Sequence, residues 1–154
     1  REIMPLIWQK QPNIKITLLG SNPPTKIKNL ARDERIEVPG YIQDVEPYFL
    51  KSRVFVAPLR YGAGMKGKIG HSLSYGLPTV TTSIGAEGMG LTHDSDVLIA
   101  DEVKDFVQFV LMVYNNYELW SLLSRNSLNL INQYSPQAMK SVLRQLLEFM
   151  DSDN

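Results

Sequence analysis

The 154-residue sequence contains no cysteine. That excludes disulfides, thiolate metal sites and cysteine nucleophiles, and it is compatible with a reducing cytoplasm. Only two histidines occur, His71 and His93, and they do not have metal-ligand spacing. No nucleophile–base constellation can be read either. No apolar run approaches the length of a membrane span, and no stretch reads as a signal peptide. Neither sign of charge predominates: 16 basic and 16 acidic side chains cancel. No global field therefore draws in nucleic acid or an acidic membrane, and any anion has to be bound locally. What is present is 44% hydrophobic and 21% charged, an ordinary balance for a soluble globular domain. The length suits one domain with one core. "REIMPLIWQK" reads as the middle or end of a helix, so the sequence is expected to be a piece of a longer protein.

Short apolar runs alternate with helical spacing. "IKITLLG" (14–20), "RIEVPG" (35–40), "RVFVAP" (53–58), "PTVTTS" (78–83) and "DVLIAD" (96–101) read as strands, several stopped by Pro or Gly. "VEPYFLKS" (45–52) reads as a short helix. A second runs from Lys66 to Tyr75 and stops at Gly76 with Pro78 just beyond. From Asp101 onward, Val103, Phe106, Val107, Val110, Leu111 and Tyr114 mark an amphipathic helix opened by Asp101. Another fits 117–133, with Leu119, Leu122, Leu123 and Leu130 inward. A last one is expected after Ser135 as N-cap and Pro136 as first residue, its inward stripe Met139, Val142, Leu143, Leu146 and Met150. Strands alternating with helices predict an α/β fold, a Rossmann-like, doubly wound parallel sheet with C-terminal helices. In such sheets ligands sit at the carboxyl ends of the strands.

"RYGAGMKGKIGHSL" (60–73) fits two phosphate-binding patterns at once. Gly62, Gly64 and Gly67 match G-x-G-x-x-G; Gly62, Gly67 and Lys68 match G-x-x-x-x-G-K. Neither comes with its context. Pro58, Leu59, Arg60 and Tyr61 separate the strand from Gly62, and Ile69 stands where a P-loop needs a hydroxyl for Mg²⁺. Glu87 lies twenty positions after Gly67 but falls past the next strand, in "IGAEGMG". A nucleotide-binding Rossmann or P-loop domain would need a strand running straight into Gly62. The physics common to both motifs remains. Glycines let backbone N–H groups approach a ligand, a helix start offers unpaired donors, and Lys66 and Lys68 add local charge. These features predict a phosphate or diphosphate there; they also fit a plain tight turn with solvated lysines. At about 100° per residue Ile69 and Leu73 share the core face, while Lys68, His71 and Tyr75 share one flank. That flank favours Lys68 as the cation, and His71 could serve a hydroxylated group one turn later. His93 has no such setting.

Taken together, "VFVAPLRYGAGMKGKIGHSLSYGLPTVTTSIGAEGMGL" resembles the C-terminal, donor-binding half of GT-B-fold glycosyltransferases, closest to the group 1 or family-four retaining enzymes. The likeness extends to "IMPLIWQKQPNIKITLLGSNP", "VPGYIQDVEPYFLKSRVFVAPL" and "SDVLIADEVKDFVQFVLMVYNN", nearly the whole chain. The resemblance implies one C-terminal domain over 1–154 that binds a nucleotide-sugar for transfer to an acceptor hydroxyl with retention. It implies no cofactor and no metal. Gly62, Ala63, Gly64, Met65, Lys66, Gly67 and Lys68 would face donor sugar and diphosphate. Tyr41 and Ile42 would lie on the base side, and Gly20 and Glu87 in loops of the same cleft. The family's two glutamates, with seven residues between them, fall on Ala63 and His71; a branch with a G-A-G-x-K-G-K loop dispenses with the first. His71 would then stand on the ribose side, able to hydrogen-bond a hydroxyl but without a carboxylate's acceptor pair. The N-terminal acceptor domain and the first strand are expected to be missing, so these residues alone should not catalyse transfer. The acceptor would be a saccharide or glycolipid, with no nucleic acid and no transmembrane segment involved. The resemblance implies a cytoplasmic protein, and allows a peripheral place at the membrane face when full-length. A non-catalytic glycosyltransferase-like scaffold that has lost donor binding is the alternative.

Overall fold

Residues 2–133, 140, 143–145 and 148 are described by the computed structural model. The order of elements is α1 (Ile3–Lys10), β1 (Ile16–Leu19), α2 (Thr25–Lys28), β2 (Ile36–Gly40), α3 (Glu46–Lys51), β3 (Phe55–Ala57), α4 (Gly67–Ser74), β4 (Thr79–Thr81), α5 (Ser83–Ala86), β5 (Leu98–Ile99), α6 (Val103–Asn115) and α7 (Tyr117–Gln133). Every strand and helix expected before Gln133 is present, most of them shorter than the apolar runs that announce them. The expected last helix falls largely outside the described residues, including Ser135, Pro136, Met139, Val142, Leu146 and Met150. Leu143 is described, and it is exposed rather than inward; no described element covers it.

All strand pairs are parallel, as alternation with helices requires. The sheet, however, comes in two pieces, β1–β2 and β3–β4–β5, with no ladder between them among the described residues. Both pieces feed one core. Ile7 of α1 and Ile14 at the entry to β1 cluster with Val80, Leu98, Phe106, Val110 and Leu123, and Val54 and Val56 pack against them. No residue of β1 or β2 itself belongs to this cluster. The four residues of β1 are only half-buried, whereas β4, flanked on both sides, is buried throughout.

Helices cover the β3–β4–β5 piece on two sides: α1 packs on α6, and α4 packs on α7. β4 is threonine-rich yet buried because each hydroxyl has a partner. Thr79 Oγ1 donates to the Leu77 carbonyl and meets Ser72 Oγ at 3.0 Å. Thr81 Oγ1 donates to the Ala57 carbonyl at 3.0 Å, a second tie between β4 and β3. Gly76 stops α4 with φ of +61°, where a side chain would meet Ser124 and Leu128 of α7. In α7 the inward stripe runs through Leu119, Leu123 and Ser127 rather than Leu122, which is exposed. Steps of four keep Ser127 on the Leu123 face, and its hydroxyl reaches the carbonyls of Leu123 and Asp96. Asp101 does not cap α6, whose start lies at Val103. Its carboxylate instead accepts from the amide and hydroxyl of Ser83, at the start of α5.

Candidate functional site

β3 ends at Ala57, five positions before Gly62, and the chain turns at once: the Leu59 amide donates to the Ala57 carbonyl at 2.9 Å. A strand running straight into the first glycine is thus absent, which removes both the dinucleotide and the P-loop readings. Beyond this turn the chain forms an exposed loop over 60–65. Gly62 and Gly64 have φ of +143° and +69°, conformations that only glycine adopts without strain. The loop delivers the chain to α4 through Lys66, the N-cap.

Lys66 caps with its backbone, not its side chain. Its carbonyl accepts from the amides of Ile69 and Gly70. Among the described residues, the amides of Gly67 and Lys68 have no acceptor, as the first turn of a helix leaves them. α4 is fixed by Ile69 and Leu73, both buried as their spacing predicts. Its first turn therefore stands in one place, with two N–H donors and the positive end of the helix facing outward.

The two lysines of this turn differ. Lys68 is exposed, whereas the Lys66 side chain is only 8% exposed. Its stem runs beside Gly62, where an added Cβ would lie 3.8 Å from Lys66 Cε. Its Nζ is buried and has no hydrogen-bond partner among the described residues. The nearest opposite charge is Glu87, at 3.8 Å and 70% exposed. Glu87 follows α5, which leaves β4 directly. Thr82 caps α5 by accepting from the Gly85 amide, and its own hydroxyl donates to the Leu59 carbonyl at 2.7 Å. One threonine thus ties the exits of β3 and β4. No motif singles it out, although "TVTTS" carries a hydroxyl at the expected helix start. The carboxyl of Asp101 is held below its usual value by the Ser83 hydroxyl and amide, so the β5 exit is anchored to α5 by an ionised group.

His71 and Tyr75 do share a flank of α4, with ring centroids 5.2 Å apart. Phe49 of α3 completes the group. It lies 4.8 Å from His71 and 5.1 Å from Tyr75, stacked on the latter, and 6.0 Å from Phe55. Partial burial raises the Tyr75 phenol above its usual value, and the Glu46 and Asp44 carboxylates add to this. No sequence pattern points to Phe49, because the contact joins two helices. It also has a positional effect, since α3 follows the loop that holds Tyr41 and Ile42.

The remaining candidates sit where parallel strands put them. Gly20 follows β1, and Tyr41, which is 73% exposed, follows β2 with Ile42. No hydrogen bond or ion pair among the described residues joins Gly20, Tyr41 or Ile42 to the 62–68 loop. The structure brings together Gly62, Lys66, Glu87 and the start of α4, with His71 one turn on. Ala63 and Met65 are exposed, like the rest of the 60–65 loop. No group of three or more His, Asp or Glu suited to a metal occurs among the described residues, and no described helix is long and apolar enough to cross a membrane.

Known proteins are similar to this chain in sequence and fold. The profile of the family "Glycosyl transferases group 1" matches residues 1–116. A curated relative from Klebsiella pneumoniae, an uncharacterized 44.6 kDa protein in the cps region, is 22% identical over 154 residues. The match takes in 94% of this chain and 40% of the relative, so the chain spans about two fifths of that protein. Among solved structures, the C-terminal domain of LpcC, a glycosyl transferase group 1 family protein from Francisella tularensis, superposes with a TM-score of 0.71 at 15% identity. That match covers 86% of this chain and 75% of the other. Alr3699/HepE of Anabaena, solved in complex with UDP and with UDP-glucose, gives a TM-score of 0.75 at 13% identity, covering 98% and 44%. The fold is the Rossmann-like α/β type of GT-B glycosyltransferases, and the chain belongs to the group 1 glycosyl transferase family.

Proposed function

We propose that this chain is the donor-nucleotide half of a retaining, metal-independent glycosyltransferase. The observation that carries the reading is the buried, unpartnered Nζ of Lys66 beside the open amides at the start of α4. A buried ammonium without hydrogen bonds is costly unless an anion completes it. A diphosphate supplies oxygens both for the ammonium and for N–H donors in fixed positions. In the reaction the acceptor hydroxyl attacks the anomeric carbon between two domains, and negative charge grows on the leaving diphosphate. The α4 dipole, the Gly67 and Lys68 amides and the two lysines act where that charge develops. No metal is assigned a part. Gly62, Ala63, Gly64 and Met65 line the sugar and diphosphate, and His71 stands on the ribose side, its ring held by Phe49 and Tyr75. Tyr41 and Ile42 take the base, with Gly20 and Glu87 in adjoining loops. The Anabaena protein, similar in fold and solved with UDP and UDP-glucose, supports a uridine nucleotide as the first donor to try. The acceptor, a saccharide or glycolipid, would meet an N-terminal domain, in a cytoplasmic protein able to sit at the membrane face. Without that domain this chain does not transfer sugar.

The test is titration of UDP, GDP and ADP onto the ¹⁵N-labelled chain by NMR. At least one should shift the amides of 62–71 first; shifts that avoid this segment altogether overturn the placement. The close contact of His71 with the stacked rings of Phe49 and Tyr75 favours one other reading, a scaffold domain that has lost donor binding. No shifts with wild type, but binding by His71→Glu, would support it.

The split sheet belongs to the same proposal. A strand preceding α1 would fit between β1 and β3 and join the two pieces. In the 154-residue chain, amides of β1 and β3 should exchange with solvent roughly tenfold or more faster than those of β4. They should become protected in a chain extended at its N-terminus. Equal exchange in both chains would sink the inserted strand.

A further inference from the structure

We infer that Lys66 and Glu87 form a latch on the glycine loop, with Glu87 holding the Lys66 ammonium inside the loop until a polyphosphate takes the place of its carboxylate. This rests on the reading of residues 62–68 as a diphosphate site. Three observations lead to it. First, Nζ is buried, so no ligand oxygen reaches it while the loop stays as it is. Second, the loop can move at small cost. Gly62 and Gly64 occupy backbone regions that give them wide freedom, and Tyr61 and Met65 are 88% and 81% exposed, so little packing holds the segment down. Third, the only charge compensating the ammonium among the described residues is a single carboxylate at 3.8 Å, beyond hydrogen-bond reach and mostly in water. Such a pair is weak, and a desolvated ammonium held by it exchanges readily for a partner that makes true hydrogen bonds.

The placement of Glu87 gives the latch a direction. It sits just past α5, whose cap Thr82 is bonded to the Leu59 carbonyl at the root of the same loop. Loop root and carboxylate are therefore held together, while the loop tip at Gly62–Met65 has no such tie. A diphosphate arriving at the Gly67 and Lys68 amides competes with Glu87 for Lys66. Release of the lysine frees the tip to fold over the bound anion. Glu87 thus lowers affinity for the anion in exchange for a loop that stays closed when the site is empty.

The experiment compares wild type with Glu87→Gln, which alters an exposed carboxylate and spares the fold. Binding of UDP and of inorganic pyrophosphate is measured by calorimetry. Reactivity of Lys66 toward reductive methylation is followed in the ligand-free chain by mass spectrometry. The latch requires Glu87→Gln to bind both ligands about twofold to fivefold more tightly and to expose Lys66 to methylation. Unchanged or weaker binding of either ligand by Glu87→Gln, with wild type still binding, overturns the latch and leaves the diphosphate site standing. Failure of both proteins to bind UDP or pyrophosphate overturns the site itself.

Discussion

Lys66→Met should make the ligand-free chain more stable and its diphosphate binding weaker. The two effects have one cause. In the free protein the Lys66 ammonium is desolvated, lacks any hydrogen bond among the described residues and faces one distant, exposed carboxylate. Methionine keeps an unbranched apolar stem beside Gly62 and removes the charge. Replacing poorly compensated buried charge with a well-packed apolar group is often neutral or stabilising, by up to about 1–4 kcal/mol. The loss on the binding side comes from the hydrogen bonds the ammonium would make to phosphate oxygens. Bonds to charged groups contribute about 1.5–3 kcal/mol, so affinity for UDP should fall roughly 10- to 100-fold. Thermal melts with and without UDP check both signs together. Lys68→Met is the contrast: its side chain is exposed, so free stability stays put and affinity falls by less. A lower melting temperature for ligand-free Lys66→Met would mean that the lysine is a structural cation, and the binding role would be lost. Such an opposition between stability and binding is expected where a site keeps a group unsatisfied for its ligand.

Much of this arrangement is legible in the chain, and the parts that are not have physical reasons. Proline and glycine punctuation locates the strands and the stop of α4, because those residues act locally. The flank shared by His71 and Tyr75 is legible because helical geometry fixes neighbours four residues apart. Lys68 draws attention over Lys66 for the same reason, since spacing reports which face a residue occupies. Spacing does not report that the loop before a helix folds back on its N-cap side chain, and a buried lysine runs against the usual preference. Phe49 joins the site through packing of α3 on α4, which no periodicity encodes. Asp101 looks like the cap of the helix after it; the structure gives it to α5, which lies next to it only because β4 and β5 pair. The break between β1 and β3 is hidden from strand patterns, which show that a segment pairs but not with what; the expectation of a missing first strand comes from the resemblance alone.

Gly85→Ala should weaken the whole carboxyl end of the β3–β4–β5 sheet. Gly85 is buried in α5, and a Cβ there would lie 2.0 Å from Thr81 Oγ1 and 3.3 Å from Ile69 Cδ1. Neither neighbour can yield cheaply. Thr81 is fully buried, and its hydroxyl is bonded to the Ala57 carbonyl. As a β-branched residue it has few alternative rotamers. Ile69 is the residue that seats the first turns of α4. The added methyl must either displace Thr81, leaving a buried hydroxyl or carbonyl unpaired, or push α4 outward. Overpacking of this kind costs about 1–3 kcal/mol, occasionally more, a fall of roughly 3–10 °C in Tm for a chain of this size. UDP binding should weaken as well, because the displaced parts are the exit of β3 and the base of α4. Gly67→Ala is the matched control, since a Cβ there meets nothing within 4 Å; its Tm should be unchanged or slightly higher. The sharper check is Gly85→Ala combined with Thr81→Ala. Removing Oγ1 opens the space the new methyl needs, so the double variant should be more stable than the sum of the single losses. Additive losses would show that the crowding of Thr81 is not the cause, and an unchanged Tm for Gly85→Ala would show that α5 is not packed on β4 in this way.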